Sequence, residues 1–155
     1  MTLNPKRVLW PTDFSNLSMM GANYAKALRD QFGSELHVIH VIPPLLGPEL
    51  PATIPPELPP LINDPNLLAT TRENLQKTVR ELFGDDHGVV VEVFFGHAWD
   101  GVCDYAKRRE IDLIIVPTHG RTGLAHVLIG STAEKIVQHA PCAVLVVKQN
   151  ARQIA

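Results

Sequence analysis

Five short apolar runs recur along the chain, and between them lie longer stretches whose apolar residues return every three or four positions. The runs are RVLWP (7–11), LHVIHVI (36–42), VVVEVFFG (89–96), IDLIIVP (111–117) and CAVLVVK (142–148). Short, nearly continuous apolar runs suit strands covered on both faces, and three-to-four spacing suits amphipathic helices. Strands joined by helices imply right-handed crossovers, hence an α/β fold with a parallel sheet and helices on both faces. The 155 residues suffice for one such unit, so a single domain over 1–155 is expected.

The intervening stretches carry start and stop signals. In 15–33, Leu17, Met20, Tyr24, Ala27, Leu28 and Phe32 keep helical spacing. Ser15 or Asn16 can cap its start, and Gly33 can end it. Stretch 67–84 places Leu68, Thr71, Leu75, Val79 and Leu82 on one face before Gly84. A third helix is expected in 98–110, with Trp99, Val102, Cys103 and Ala106 inward, and a fourth in 131–140. Residues 43–66 break the pattern with nine prolines, which helix and sheet interiors do not tolerate. This excursion reads either as a semi-rigid functional arm or as a solvated insertion.

Charge and composition exclude several classes. The net charge is −2 and basic residues do not cluster, which argues against nucleic acid as a partner. Every apolar run falls short of the roughly 20 residues of a membrane span, and MTLNPKRVLWPTDFS lacks a signal-peptide core. A cytoplasmic address is therefore expected. The two cysteines, Cys103 and Cys142, form no CxxC and read as buried free thiols. The seven histidines show no HExxH spacing; His37 and His40, three apart in one strand, point to opposite faces.

In open parallel sheets, ligands bind beyond the carboxyl ends of the strands, where strand order reverses. The first strand ends in PTDFS and the fourth in PTHGRTG, which opens the loop PTHGRTGLAHVLIGST (117–132). Gly120, Gly123 and Gly130 can reach positive φ and bring backbone N–H groups close to an anion. Gly130, Ser131 and Thr132 then open a helix whose N–H groups and dipole favour phosphate. The same residues also fit a glycine turn with an ordinary capping hydroxyl. Asp13 suits a ribose diol, or equally a turn before the first helix, and the backbone of Val41 can meet an adenine edge. His119 and Arg121 can contact phosphate or face solvent. GxxxxGK[ST], a GxGxxG after the first strand and a Ser-Gly-Gly run in the first loop are all missing.

Together these residues resemble the universal stress protein family. Its pattern is Gly, two residues, Gly, nine residues, Gly, then Ser or Thr; Gly120, 121–129, Gly130 and Ser131 match, while Pro117 replaces the first glycine. VLWPTDFS is similar to the family's opening strand and HAPCAVLVVK to its closing one. The resemblance implies five parallel strands in order 3-2-1-4-5. It implies ATP or AMP as ligand, with Mg²⁺ as a possible companion. Asp13 would hold the ribose, Val41 the adenine edge, and Gly120, Gly130, Ser131 and the Thr132 N–H the phosphates. Pro11, Thr12, Pro117, Thr118, His119, Arg121 and Gly123 complete the implied nucleotide-binding set. Pro117 lacks the N–H that the family's residue offers the ligand. The loss of one hydrogen bond, about 0.5–1.5 kcal/mol, weakens binding roughly tenfold without abolishing it.

The resemblance also implies a homodimer through the last strand, Ala143 to Lys148, which would cover an apolar sheet edge. The expected function is a non-enzymatic, nucleotide-binding stress-response module. Two alternatives stay open: a slow ATPase using His119 and Asp13, and a nucleotide-free dimeric scaffold in which Pro117 marks a lost site.

Overall fold

The computed structural model describes residues 4–43, 64–84, 87–118 and 129–148. Strands β1 (Arg7–Pro11), β2 (Glu35–Ile42), β3 (Val89–Phe95), β4 (Leu113–Pro117) and β5 (Ala143–Val147) alternate with helices α1 (Asn16–Phe32), α2 (Pro65–Phe83), α3 (Ala98–Arg108) and α4 (Ser131–His139). The strands form one parallel sheet in the order β3-β2-β1-β4-β5, as the sequence led us to expect.

Alternation along β1 divides the core. Val8 and Trp10 pack with Ala22, Ala25, Leu75 and Val79 on the α1/α2 face, whereas Leu9 packs with Ile39, Val102, Tyr105 and Ile136 on the α3/α4 face. His37 and His40 do take opposite faces: His37 meets Tyr105 of α3, and His40 meets Phe14 at the entry to α1.

The helix signals explain most boundaries. Ser15 caps α1 by accepting the Ser18 N–H, and Gly33 closes it in the left-handed conformation at φ 66°. The buried stripe of α1 differs from the expected one, because Ser18, Gly21, Ala22 and Ala25 face the sheet while Phe32 is exposed. Large residues flank this stripe, and small ones let the helix sit close to β1. A Cβ on Gly21 would lie 2.9 Å from Nε1 of the fully buried Trp10, whose indole N–H donates to the Ser18 carbonyl at 2.9 Å.

Helix α2 starts two residues earlier than expected. Asp64 caps it by accepting the Asn66 N–H at 2.8 Å, and Pro65 occupies its first turn, where no N–H is needed. The last proline of the rich segment thus belongs to a helix; residues 44–63 lie outside the described residues.

The central strand pair determines where the sheet opens. The β1–β2 register runs to Pro11↔Ile39 and the β4–β5 register to Pro117↔Val147, but β1–β4 stops at Leu9↔Ile114. In that register the next rung would carry the N–H of residue 11 to the Ile115 carbonyl. The one after it would carry the N–H of residue 117 to the Pro11 carbonyl. Both donors are prolines, which have no N–H. Two consecutive rungs are deleted where the strand order reverses, so the β1–β4 hydrogen-bond ladder ends short of both carboxyl ends.

Candidate functional site

The loop after β1 is tied down residue by residue. The Thr12 N–H donates to the Ile39 carbonyl at 2.9 Å, continuing the bonding toward β2. His40 Nδ1 lies 2.7 Å from the Thr12 carbonyl, so that nitrogen carries the proton and donates. Ser18 Oγ donates to the Ser15 carbonyl, so in its 2.8 Å contact with Thr12 Oγ1 the threonine is the donor. Phe14 sits at φ 63°, uncommon for a non-glycine, with its N–H donated to Thr12 Oγ1. Asp13 Oδ1 accepts the Ser15 N–H at 2.9 Å, so the turn reading of Asp13 is realised. The turn also fixes its carboxylate at the cavity wall.

The loop after β4 is pinned at its neck. The Thr118 N–H donates to Val147 O at 2.9 Å, and the Thr118 carbonyl accepts the Gly130 N–H. Two consequences differ from the sequence reading. Gly130 is the N-cap of α4 at φ −72°, so positive φ is not what this position requires. Its N–H is spent on Thr118, which leaves Ser131 and Thr132 to offer amides at the helix's positive end, where no side chain of the described residues caps the helix. His119, Gly120, Arg121 and Gly123 lie outside the described residues.

Between these loops lies a cavity of about 290 Å³. Pro11, Thr12 and Asp13 line it from β1, Val41 from β2, Pro117 and Thr118 from β4, and Gly130, Ser131 and Thr132 from the start of α4. The structure thus brings together every candidate residue that it describes. Ser18, His40 and an apolar wall of Ala98, Val102, Val116, Ala133 and Ile136 complete the lining and escaped the sequence reading. Their signal was the pairs 98/102 and 133/136, which place one face of each helix's first turns beside the strand ends. Gly101 brings α3 in, since a Cβ there would sit 3.2 Å from both Val41 methyls and 3.0 Å from Phe94.

Polarity across the cavity is uneven. Among the described lining residues Asp13 carries the sole formal charge, and lysine and arginine are absent. A group of three or more His, Cys, Asp or Glu able to hold a metal does not occur among the described residues. The expected free thiols are present: Cys103 is buried, Cys142 half-buried, and both are unbridged. Burial pushes both thiols up, Cys142 to about 11, which leaves them protonated and unreactive at neutral pH. Among the described residues, no helix is long and apolar enough to cross a membrane.

The universal stress protein family profile matches residues 4–148. The chain belongs to the universal stress protein family. Universal stress protein MJ0531 of Methanocaldococcus jannaschii is 33% identical over 148 residues, covering 93% of this chain and 82% of the relative. Universal stress protein UspA from Lactobacillus plantarum superposes with a TM-score of 0.77 at 24% identity, covering 94% of this chain and 99% of that one. A universal stress protein solved in complex with cAMP superposes with a TM-score of 0.67 at 16% identity, covering 94% and 98%. The likeness to these structures establishes the universal stress protein fold, five parallel strands with β1 and β4 at the switch point.

Proposed function

We propose that this universal stress protein binds an adenine nucleotide, ATP or AMP, in the cavity between β1 and β4, and acts as a nucleotide-responsive stress module. One observation carries the reading: a single cavity joins an apolar wall, a fixed carboxylate and the open positive end of a helix. Those features match a base, a ribose and a phosphate in that order. Val41, Ala98 and Val102 would flank adenine, with the Val41 backbone meeting its edge. Asp13 would accept from the ribose hydroxyls. Ser131 and the Thr132 N–H would hold phosphate, with Gly120 of the preceding loop. Mg²⁺, if bound with ATP, would take its ligands from phosphate and water with at most Asp13 among the described lining residues. The complex of a relative with cAMP supports a nucleotide in a fold of this kind. Mass spectrometry of small molecules released by denaturing the purified protein tests the reading; adenine nucleotide in the supernatant is the expected result.

We further propose that the protein is a homodimer paired through β5. This strand lies at the sheet edge and its residues 143–146 are half-buried or exposed, so an apolar edge is left for a second copy to cover.

A further inference from the structure

The same two prolines that interrupt the ladder also line the crevice and set its chemistry. In the β1–β4 register the backbones of Pro11 and Pro117 both turn toward the gap, and both residues line the cavity. Each therefore presents a carbonyl and neither presents an N–H. Asp13 adds a carboxylate to the same region. The Gly130 N–H, the next nearest amide in sequence to the helix start, is already donated to Thr118. The described backbone groups of Pro11 and Pro117 and the Asp13 carboxylate are thus acceptors, and the open backbone amides among the described lining residues belong to the first turn of α4.

A ligand that fits must offer donors to these acceptors and its negative charge to α4. A ribose with both hydroxyls free does this. A ribose whose 3′ oxygen is esterified to phosphate does not: it loses a donor and carries anionic oxygens toward a carboxylate and two carbonyls. We propose that this crevice selects nucleotides with an unsubstituted 2′,3′-diol and rejects ribose-phosphorylated ones, 3′,5′-cyclic nucleotides included. Pro11, Pro117 and Asp13 are the specificity-determining residues. The inference rests on the nucleotide-binding reading above and concerns what that site refuses.

The test is calorimetric titration of the full-length chain with AMP, 3′-deoxyadenosine 5′-monophosphate and 3′,5′-cyclic AMP. The expected order is AMP tightest, the 3′-deoxy compound about tenfold weaker and the cyclic nucleotide weaker by about tenfold or more. In Asp13→Asn the amide oxygen keeps the Ser15 turn bond while the NH₂ puts a donor in the cavity, so the preference of AMP over cyclic AMP should shrink to within about threefold. Cyclic AMP binding the wild type as tightly as AMP would overturn the inference and leave the nucleotide site standing. An unchanged preference in a folded Asp13→Asn would do the same. Absence of binding by all three compounds and by ATP would overturn the site and the inference together.

Discussion

Pro11 and Pro117 occupy successive donor positions on the β1–β4 side of their strands, each still in register with its outer neighbour, Ile39 for the first and Val147 for the second. The hydrogen-bond ladder is whole on either side of them and interrupted between them. A parallel sheet usually splits at its switch point because its helices leave toward opposite faces. Here the backbone chemistry contributes as well, since two successive ladder donors are absent.

Restoring the first donor should close part of the crevice. Pro11→Ala supplies an N–H in register with the Ile115 carbonyl, adding one β1–β4 rung. Hydrogen exchange should show protection at the residue 11 amide, and adenine nucleotide affinity should fall several-fold. Fast exchange at that amide with unchanged affinity would show that the prolines do not hold the strands apart.

Position 117 should behave in the opposite way. In Pro117→Gly the rung lost at Pro11 still lies between the new N–H and the paired part of the ladder, so that N–H is expected to turn to the ligand rather than to the Pro11 carbonyl. Titration with ATP should give an affinity about tenfold tighter than wild type, the gain of one hydrogen bond of about 0.5–1.5 kcal/mol. Equal or weaker binding would mean that proline shapes the loop more than it deprives the ligand.

Acid should destabilise the protein through His37. Its Nε2–H donates to Glu35 at 2.7 Å and its Nδ1 lies 2.8 Å from the Tyr105 hydroxyl, which must donate to it. Burial holds the His37 pKa below 6.5, outweighing the nearby Glu35 carboxylate and aided by Arg109 and Arg7. Burial likewise pushes Tyr105 up to about 12, keeping that hydroxyl protonated. The unfolded chain takes up the His37 proton near pH 6.5 while the folded one does not. Stability is therefore lost as pH falls below 6.5, and the loss levels off once the folded imidazole also protonates. The slope from this one group is at most about 1.4 kcal/mol per pH unit. Urea melts of wild type and His37→Gln between pH 7.5 and 5 should differ in slope, with the variant flatter. Parallel pH profiles would remove His37 from the explanation.

The β5 edge gives a separate test of assembly. Thr118 donates to Val147, so odd-numbered residues of β5 face β4 and the Val146 N–H points outward. Val146→Pro deletes an outward donor and spares the inner ladder. Light scattering should report a dimer of 17.1 kDa chains for wild type and a monomer for the variant. A wild-type monomer at micromolar concentration contradicts the proposed dimer.

Much of the fold was legible because its signals are local. Apolar runs gave five strands, and Ser15, Gly33 and Gly84 marked helix ends that the structure places at the same residues. The α1 face was misread because its closest contact uses Gly21 and two alanines, residues that carry little hydrophobic signal but permit close approach to Trp10. Gly130 looked like a conformational glycine, yet its extended backbone and bond to Thr118 depend on where the loop returns, which spacing alone does not state. The role of His40 was hidden for the same reason: its partner is a backbone carbonyl 28 residues away. The proline pair was visible in PTDFS and PTHGRTG, but its effect needed the register that makes their nitrogens successive donor positions of one ladder.

Calorimetric titration of nucleotide-free protein with ATP tests the central claim most directly. The account predicts saturable binding of one nucleotide per chain, with a midpoint below about 1 mM, equivalent to more than about 4 kcal/mol of binding free energy. No heat and no shift in melting temperature at several millimolar ATP would contradict it, because a ligand of the native state must stabilise that state.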